Sequence, residues 1–151
     1  MDLGDKDRTF VGSKQWIGSF EIAMLMDHYY SLACKIIHLG SGDEFPSKAR
    51  ELALHFQTEG SPVMIGGGVL AYTLLGIDYD ETTGDVRFLI LDPHYTGRED
   101  IATIISKGWC AWKVFGSHPT EIELIKKQQK PDLFLADAFY NVCLPQRPRM
   151  I

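Results

Sequence analysis

The feature that most restricts the fold of this chain is a run of strand-forming residues that ends in two polar side chains. Residues 86–91 (VRFLIL) are mostly β-branched, aromatic or aliphatic, and Asp92, Pro93 and His94 follow directly. This composition predicts a β-strand, in which residues two apart share a face. Pro93 favours extended backbone at the preceding residue. If the extension continues, Asp92 and His94 point to the same face as the alternate strand residues Val86, Phe88 and Ile90.

A carboxylate beside an imidazole can act as an acid–base pair. The carboxylate orients the ring and stabilises its protonated form, which is what a general base requires. A simpler interpretation fits the same residues: Asp92 begins a turn at the end of the strand, and His94 is a solvated residue at its rim. The tripeptide alone does not decide between them.

Composition and charge exclude several classes of protein. A formal net charge of -5 without a basic stripe argues against a nucleic-acid partner. Cys34, Cys110 and Cys143 form no close-spaced ligand pair and leave an odd thiol, which favours a reducing compartment. The first ten residues lack the apolar core of a signal peptide, and no apolar run reaches the length of a membrane span. We expect a cytosolic protein, with a flexible N-terminus at 1–9 and a single domain at 10–151.

The N-terminal half predicts helices alternating with short strands. Ser19 is the expected N-cap of the first helix, and Ile22 three residues later denies it a capping box. A stripe at helical spacing predicts one buried face, made of Ile22, Leu25, Met26 and Tyr29. A strand at 32–39 and a helix opening at Pro46 and closing at Gly60 follow.

Three consecutive glycines follow the short strand predicted at 62–65: Gly66, Gly67 and Gly68. Their lack of side chains allows another backbone to approach closely. A phosphate loop is disfavoured, since no Lys-Ser/Thr pair and no helix follow, and a tight connection between strands is the simpler interpretation. The strands at 69–79 and 85–91 then form an antiparallel hairpin beside Asp92 and His94.

The C-terminal third predicts one more helix and two strands. Thr96 and Glu99 have the spacing of a capping box for a helix that ends at Gly108. Residues 109–114 and 138–144 have strand composition. Between them, 116–135 form a polar excursion with a short helix expected at 121–128.

Five segments together resemble a known family. They are 10–18 (FVGSKQWIG), 62–68 (PVMIGGG), 89–97 (LILDPHYTG), 107–113 (KGWCAWK) and 139–148 (FYNVCLPQRP). In this order they resemble the cysteine proteases specific for the ubiquitin-fold modifier, papain-like enzymes that mature the modifier precursor and remove it from lysines. The resemblance implies an α+β papain-like fold, whose central sheet is mixed or antiparallel and flanked by helices. It also implies that Asp92 and His94 are members of the catalytic triad, without metal or cofactor.

The chain departs from the family in one decisive respect. The family's nucleophile lies in an upstream Gly-Trp-Gly-Cys-Ala-Tyr-Arg segment, with a tyrosine ahead of it that helps to hold the oxyanion, and these 151 residues contain neither. The resemblance assigns structural places to Cys110 and Cys143, and Cys34 matches no motif. Without that cysteine, there is no thiol from which His94 could take a proton. We therefore expect an inactive relative that retains binding of the modifier or of an adaptor.

Two alternatives and three accessory expectations remain. The first alternative to an inactive relative is that the sequence is a truncated form of a working thiol protease. A metal hydrolase on Asp92 and His94 would need further ligands, and the remaining histidines have no ligand spacing: His28, His38, His55 and His118. The bare glycines at 66–68 are candidates to contact the substrate tail. A partner would recruit the protein to the endoplasmic reticulum, and the absent nucleophile helix should leave an apolar face exposed.

Overall fold

The computed structural model describes residues 3–68, 70–115 and 133–148. Its centre is a six-stranded sheet in the order β1-β6-β2-β3-β4-β5, and each neighbouring pair is antiparallel. The strands are β1 Cys34–Leu39, β2 Val63–Gly67, β3 Leu70–Tyr79, β4 Val86–Leu91, β5 Cys110–Phe115 and β6 Tyr140–Pro145. The expected α+β class is confirmed, and the sheet is antiparallel.

Helices flank this sheet. They are α1 Ser19–Tyr30, α2 Ala49–Thr58 and α3 Ile101–Ser106, with 3₁₀ helices at Arg8–Phe10 and Gly42–Lys48. The loop and helix at 42–58 cover one face of the sheet, and α1 packs against β1, β2 and β6. The side chain of Ser19, at the first position of α1, donates a 2.7 Å hydrogen bond to the carbonyl of Asn141 on β6.

The core lies on the face covered by α2. It is formed by alternate residues of the strands, among them Leu39, Ile65, Leu74, Ile90 and Val142, all with at most 1% of their surface exposed. An aromatic cluster extends it, in which Phe45 stacks on Phe134 at 3.6 Å between ring centroids. Because strand side chains alternate between faces, this arrangement fixes which residues look into the core.

The start of α1 differs from the prediction by one residue. Gly18, not Ser19, is the N-cap, which places Glu21 at the third helical position, where its carboxylate accepts a 2.9 Å hydrogen bond from the Gly18 N–H. Glu21 thus provides one half of a capping box, and Gly18, which has no side chain, cannot complete it by accepting from the Glu21 N–H. Ser19 is buried because its hydroxyl serves the contact with β6 instead.

The predicted apolar stripe of α1 is not one buried face. Ile22, Leu25 and Met26 are half-buried, whereas Tyr29 is exposed. Large apolar side chains at and before the helix also face solvent: Val11, Trp16, Ile17, Phe20, Met24 and Tyr30. The amphipathic spacing identified the helix correctly but not the extent of its burial.

The predictions for the start of α3 and the end of β2 were also wrong, and one predicted segment lies mostly outside the described residues. The helix after the site is capped by Asp100, whose side chain accepts from the N–H of Ala102 at 3.1 Å, so Thr96 and Glu99 form no capping box. Strand β2 includes Gly66 and Gly67, and only Gly68 is in the turn. Most of the excursion at 116–135, including the helix expected at 121–128, lies outside the described residues.

Candidate functional site

Asp92 and His94 meet at the end of β4, through a turn rather than an extended strand. The strand ends at Leu91, and the Asp92 N–H still donates to the Trp109 carbonyl at 2.8 Å, which holds Asp92 against the start of β5. The chain then turns at Pro93 and His94. The condition for a shared strand face, an extended backbone through His94, is therefore not met, because Asp92 accepts a hydrogen bond from the His94 backbone N–H at 3.0 Å, as a turn-forming aspartate does.

The two side chains nevertheless form a close pair. His94 Nδ1 lies 2.5 Å from Asp92 Oδ1, and both the ring and the backbone of His94 contact this one oxygen. The Asp92 side chain is 20% exposed and that of His94 is 52% exposed. In this arrangement the carboxylate fixes the ring with a proton on Nδ1. Nε2 makes no hydrogen bond to any described residue, so it is free to exchange a proton with another group.

The three glycines lie at the same end of the sheet. The hairpin between β2 and β3 turns at Gly68, and β4 reaches Asp92 at that end, since Thr73 pairs with Leu91. Gly68 has a φ of 56°, a left-handed conformation that favours glycine. At Gly67 a Cβ would lie 2.2 Å from the carbonyl oxygen of Phe139, and at Gly66 it would lie 3.1 Å from Ser19 Oγ. Close packing of β6 and α1 thus accounts for two of the glycines, and a contact with substrate stays a prediction.

The three cysteines lie on β1, β5 and β6, and among the described residues none of them is hydrogen-bonded to His94. Cys110 pairs with Leu91, so its side chain shares the sheet face of Leu91, opposite to that of Ile90. Cys34 and Cys143 lie on β1 and β6, across the sheet from β4. Burial, with a further contribution from Cys34, raises the pKa of the Cys143 thiol to about 12. Cys143 is therefore a neutral buried thiol, the opposite of an activated nucleophile.

Within the described residues, no group of three or more His, Cys, Asp or Glu side chains could hold a metal ion. His38 contacts Asn141 Oδ1 at 2.8 Å through Nδ1, and buried His55 contacts the Ser61 carbonyl at 3.0 Å through Nε2. His118 is not among these residues. The metal-hydrolase alternative therefore gains no support. In the same part of the chain, no helix has the length and apolar character needed to cross a membrane.

Sequence reasoning missed one residue of the site. Tyr72 of β3 lies near Asp92, because the two residues adjoin the Thr73–Leu91 pair that ends the ladder between β3 and β4. The pKa of Tyr72 is raised by burial first, then by Asp92 and by Tyr140. Nothing in the spacing of residues 69–79 signals this neighbour, since the register of the β3–β4 pair determines it.

Comparison with known proteins gives consistent matches over nearly the whole chain. The family model described as Peptidase family C78 matches residues 1–143. A probable Ufm1-specific protease of Oryza sativa subsp. japonica is 52% identical over 100% of this chain and 22% of its own length. Ufm1-specific protease 2 of Homo sapiens is 52% identical over 100% of this chain and 29% of its own length.

A solved structure supports the fold independently. The crystal structure of UfSP from C. elegans superposes with a TM-score of 0.75 at 49% sequence identity, covering 93% of this chain and 24% of that chain. The chain thus spans less than a third of the length of these three relatives.

Proposed function

Because the chain belongs to Peptidase family C78, the family of the Ufm1-specific proteases, we propose that Asp92 and His94 are the acid–base pair of a thiol protease directed at Ufm1. The observation that carries this proposal is the 2.5 Å contact between His94 Nδ1 and Asp92 Oδ1, with Nε2 left free. This geometry suits a histidine that must take a proton from a nucleophile and later return it.

The chemistry follows from this pair and from a thiol that residues 1–151 do not bring to it. His94 Nε2 accepts the proton of that thiol as its sulfur attacks the carbonyl of the C-terminal glycine of Ufm1. The imidazolium then donates the proton to the leaving amine, and a water deprotonated by His94 hydrolyses the thioester. Asp92 keeps the proton of His94 on Nδ1 throughout. The isolated 151-residue chain can therefore bind but does not hydrolyse.

A working protease with an upstream nucleophile segment is the second candidate, favoured by the limited share of its relatives that the chain spans. Sequencing the transcript upstream of Met1 tests this candidate. Codons for Gly-Trp-Gly-Cys in the same reading frame would support it, and an in-frame stop codon directly upstream of Met1 would refute it.

If such a product exists, its activity tests the roles of the pair. On a Ufm1 substrate with a fluorophore at its C-terminal glycine, His94→Ala should lower kcat/KM at least about 100-fold, the usual contribution of an acid–base group. Asp92→Asn should also lower it, and Cys110→Ser should leave it unchanged. Full activity of His94→Ala would refute the assignment.

Binding of Ufm1 or of an adaptor is the function proposed for the isolated chain. The exposed apolar side chains around α1, among them Trp16 and Phe20, offer a surface for it. We place the protein in the cytosol, with recruitment to the endoplasmic reticulum through an adaptor. Titration of the labelled chain with Ufm1, followed by NMR, should move the resonances of Trp16, Phe20 and other exposed residues around α1; no shift at saturating Ufm1 would contradict binding of Ufm1.

A further inference from the structure

The side chain of Asp92 is largely shielded from water, although among the described residues only His94 hydrogen-bonds its carboxylate. His94 uses only Oδ1, and Oδ2 makes no hydrogen bond to any residue within the described ranges. The Asp92 side chain is nevertheless only 20% exposed, against 52% for His94, which sits further out on the same turn. Groups other than the His94 ring therefore shield part of this side chain from water.

Tyr72 is the neighbour that the strand register supplies. Thr73 pairs with Leu91, and Leu74 with Ile90, so Tyr72 and Asp92 are the next residues toward the end of the sheet. Tyr72 shares the face of buried Leu74, packs against the core and is half-buried. Asp92 remains tied to the sheet through its N–H bond to Trp109. The register and the bond to Trp109 therefore bring Tyr72 and Asp92 close together at this end of the sheet.

The electrostatics of Tyr72 agree with this geometry. Burial raises its pKa most, and the negative charge of Asp92 raises it further, so the two groups interact. The phenol consequently stays neutral to a higher pH than an ordinary tyrosine. No second negative charge develops beside Asp92 in the range where a histidine exchanges protons.

We propose that Tyr72 is a positioning residue, which covers the Asp92 carboxylate and holds its Oδ1 against Nδ1 of His94. This inference rests on the proposed function, in which Asp92 must keep His94 in one tautomer. Tyr72 limits the water around Asp92, and the attraction between a carboxylate and an imidazole is stronger where less water screens it. It acts through Asp92 and touches no reacting atom.

The test is an NMR experiment on the isolated chain, labelled with ¹⁵N at histidine. The readouts are the exchange rate of the His94 Nδ1 proton with water and the ring ¹⁵N shifts, which report the tautomer. Tyr72→Ala should accelerate that exchange at least tenfold and mix the tautomers. Tyr79→Ala removes the other partly buried tyrosine of β3 at the far end of the strand, and it should leave His94 unchanged. Equal effects of both substitutions, or none from Tyr72→Ala, would overturn the proposal.

A second measurement protects against a Tyr72→Ala chain that does not fold. In the chain labelled with ¹³C at the tyrosine ring, Asp92→Asn should lower the pKa of Tyr72, whereas Asp78→Asn, on the same strand as Tyr72, should not. An unchanged Tyr72 titration in Asp92→Asn would refute the contact. None of these readouts involves Ufm1, so a failure of Ufm1 binding or hydrolysis would count against the proposed function alone.

Discussion

At the scale of single residues, the glycines illustrate how a sequence pattern can have a structural cause. Gly66 and Gly67 attracted notice because a bare backbone can approach a substrate. In the structure, β6 and α1 already use that bareness, since the Phe139 carbonyl occupies the Cβ position of Gly67 and Ser19 Oγ lies within 3.1 Å of that of Gly66. A run of glycines in a sequence does not indicate which neighbour needs the space.

Gly67→Ala should therefore destabilise the fold. The added Cβ would meet the Phe139 carbonyl oxygen at 2.2 Å, and this backbone atom can move only with β6. We expect a loss of at least about 2 kcal/mol in the free energy of unfolding, as for other overpacked sites. Gly76→Ala is the matched control on β3, because its Cβ would have only ordinary contacts from 3.8 Å outward. Urea unfolding of both variants checks this, and equal stabilities would contradict the packing described.

Cys143 makes stability depend on pH in the alkaline range. Its pKa rises from 9.0 to about 12 in the folded chain, so the folded state holds this proton more tightly than the unfolded state. The protonated Cys143 thiol therefore contributes fully to the free energy of unfolding below pH 9, and this contribution is lost as the pH rises toward 12. Tyr72 acts in the same direction.

Urea midpoints measured at about pH 8 and about pH 10.5 should show this loss. The decline should be smaller in Cys143→Ala than in Cys110→Ala, which retains the buried thiol. Identical declines in the two variants would show that Cys143 does not carry it.

At the scale of elements, the sequence predicted which segments form strands and helices better than where they begin. Composition located the strands around residues 86–91 and 109–114, because β-branched and aromatic residues suit a half-buried pleated surface. The caps were missed by one residue at α1 and by several at α3. A cap depends on which side chain reaches which N–H, and Glu21 and Asp100 reach theirs only in the folded geometry.

The cap of α1 can be tested with two substitutions at one position. Glu21 accepts from the Gly18 N–H and pairs with Lys6 at 3.1 Å. Glu21→Gln keeps an acceptor for Gly18 but loses the ion pair, whereas Glu21→Ala loses both. We expect Glu21→Ala to cost about 1 kcal/mol and Glu21→Gln clearly less, because exposed ion pairs contribute little. Thermal unfolding followed by circular dichroism measures both, and equal losses would show that the ion pair, not the cap, matters.

At the scale of the whole molecule, the hydrophobic periodicity of the sequence could not predict the order of the strands in the sheet. Strand β6, near the end of the sequence, inserts between β1 and β2, and no local pattern encodes this pairing. The fold class came from the resemblance of five segments to one family. The same resemblance raised Asp92 and His94 above a solvated turn, but Tyr72 stayed hidden because only the register of β3 and β4 brings it to Asp92.

The apolar surface around α1 should govern how the isolated chain behaves in solution. Trp16 and Phe20 are 65% and 57% exposed beside other exposed apolar residues of the same region. Exposed apolar side chains concentrated in one region promote association. Sedimentation velocity should show concentration-dependent association that Trp16→Ser/Phe20→Ser reduces. Leu54→Ser, at a similarly exposed position on α2, should not reduce it. A wild-type chain that stays monomeric at every concentration would contradict this prediction.

The central claim is that Asp92 and His94 form an intact acid–base pair whose nucleophile is none of Cys34, Cys110 and Cys143. Its most direct test is to incubate the isolated 151-residue chain with Ufm1 that carries a fluorophore on its C-terminal glycine. We predict release at the rate of the buffer alone, unchanged by His94→Ala. Release above the buffer rate that His94→Ala abolishes would contradict the claim, because it would require one of the three cysteines to serve as the nucleophile.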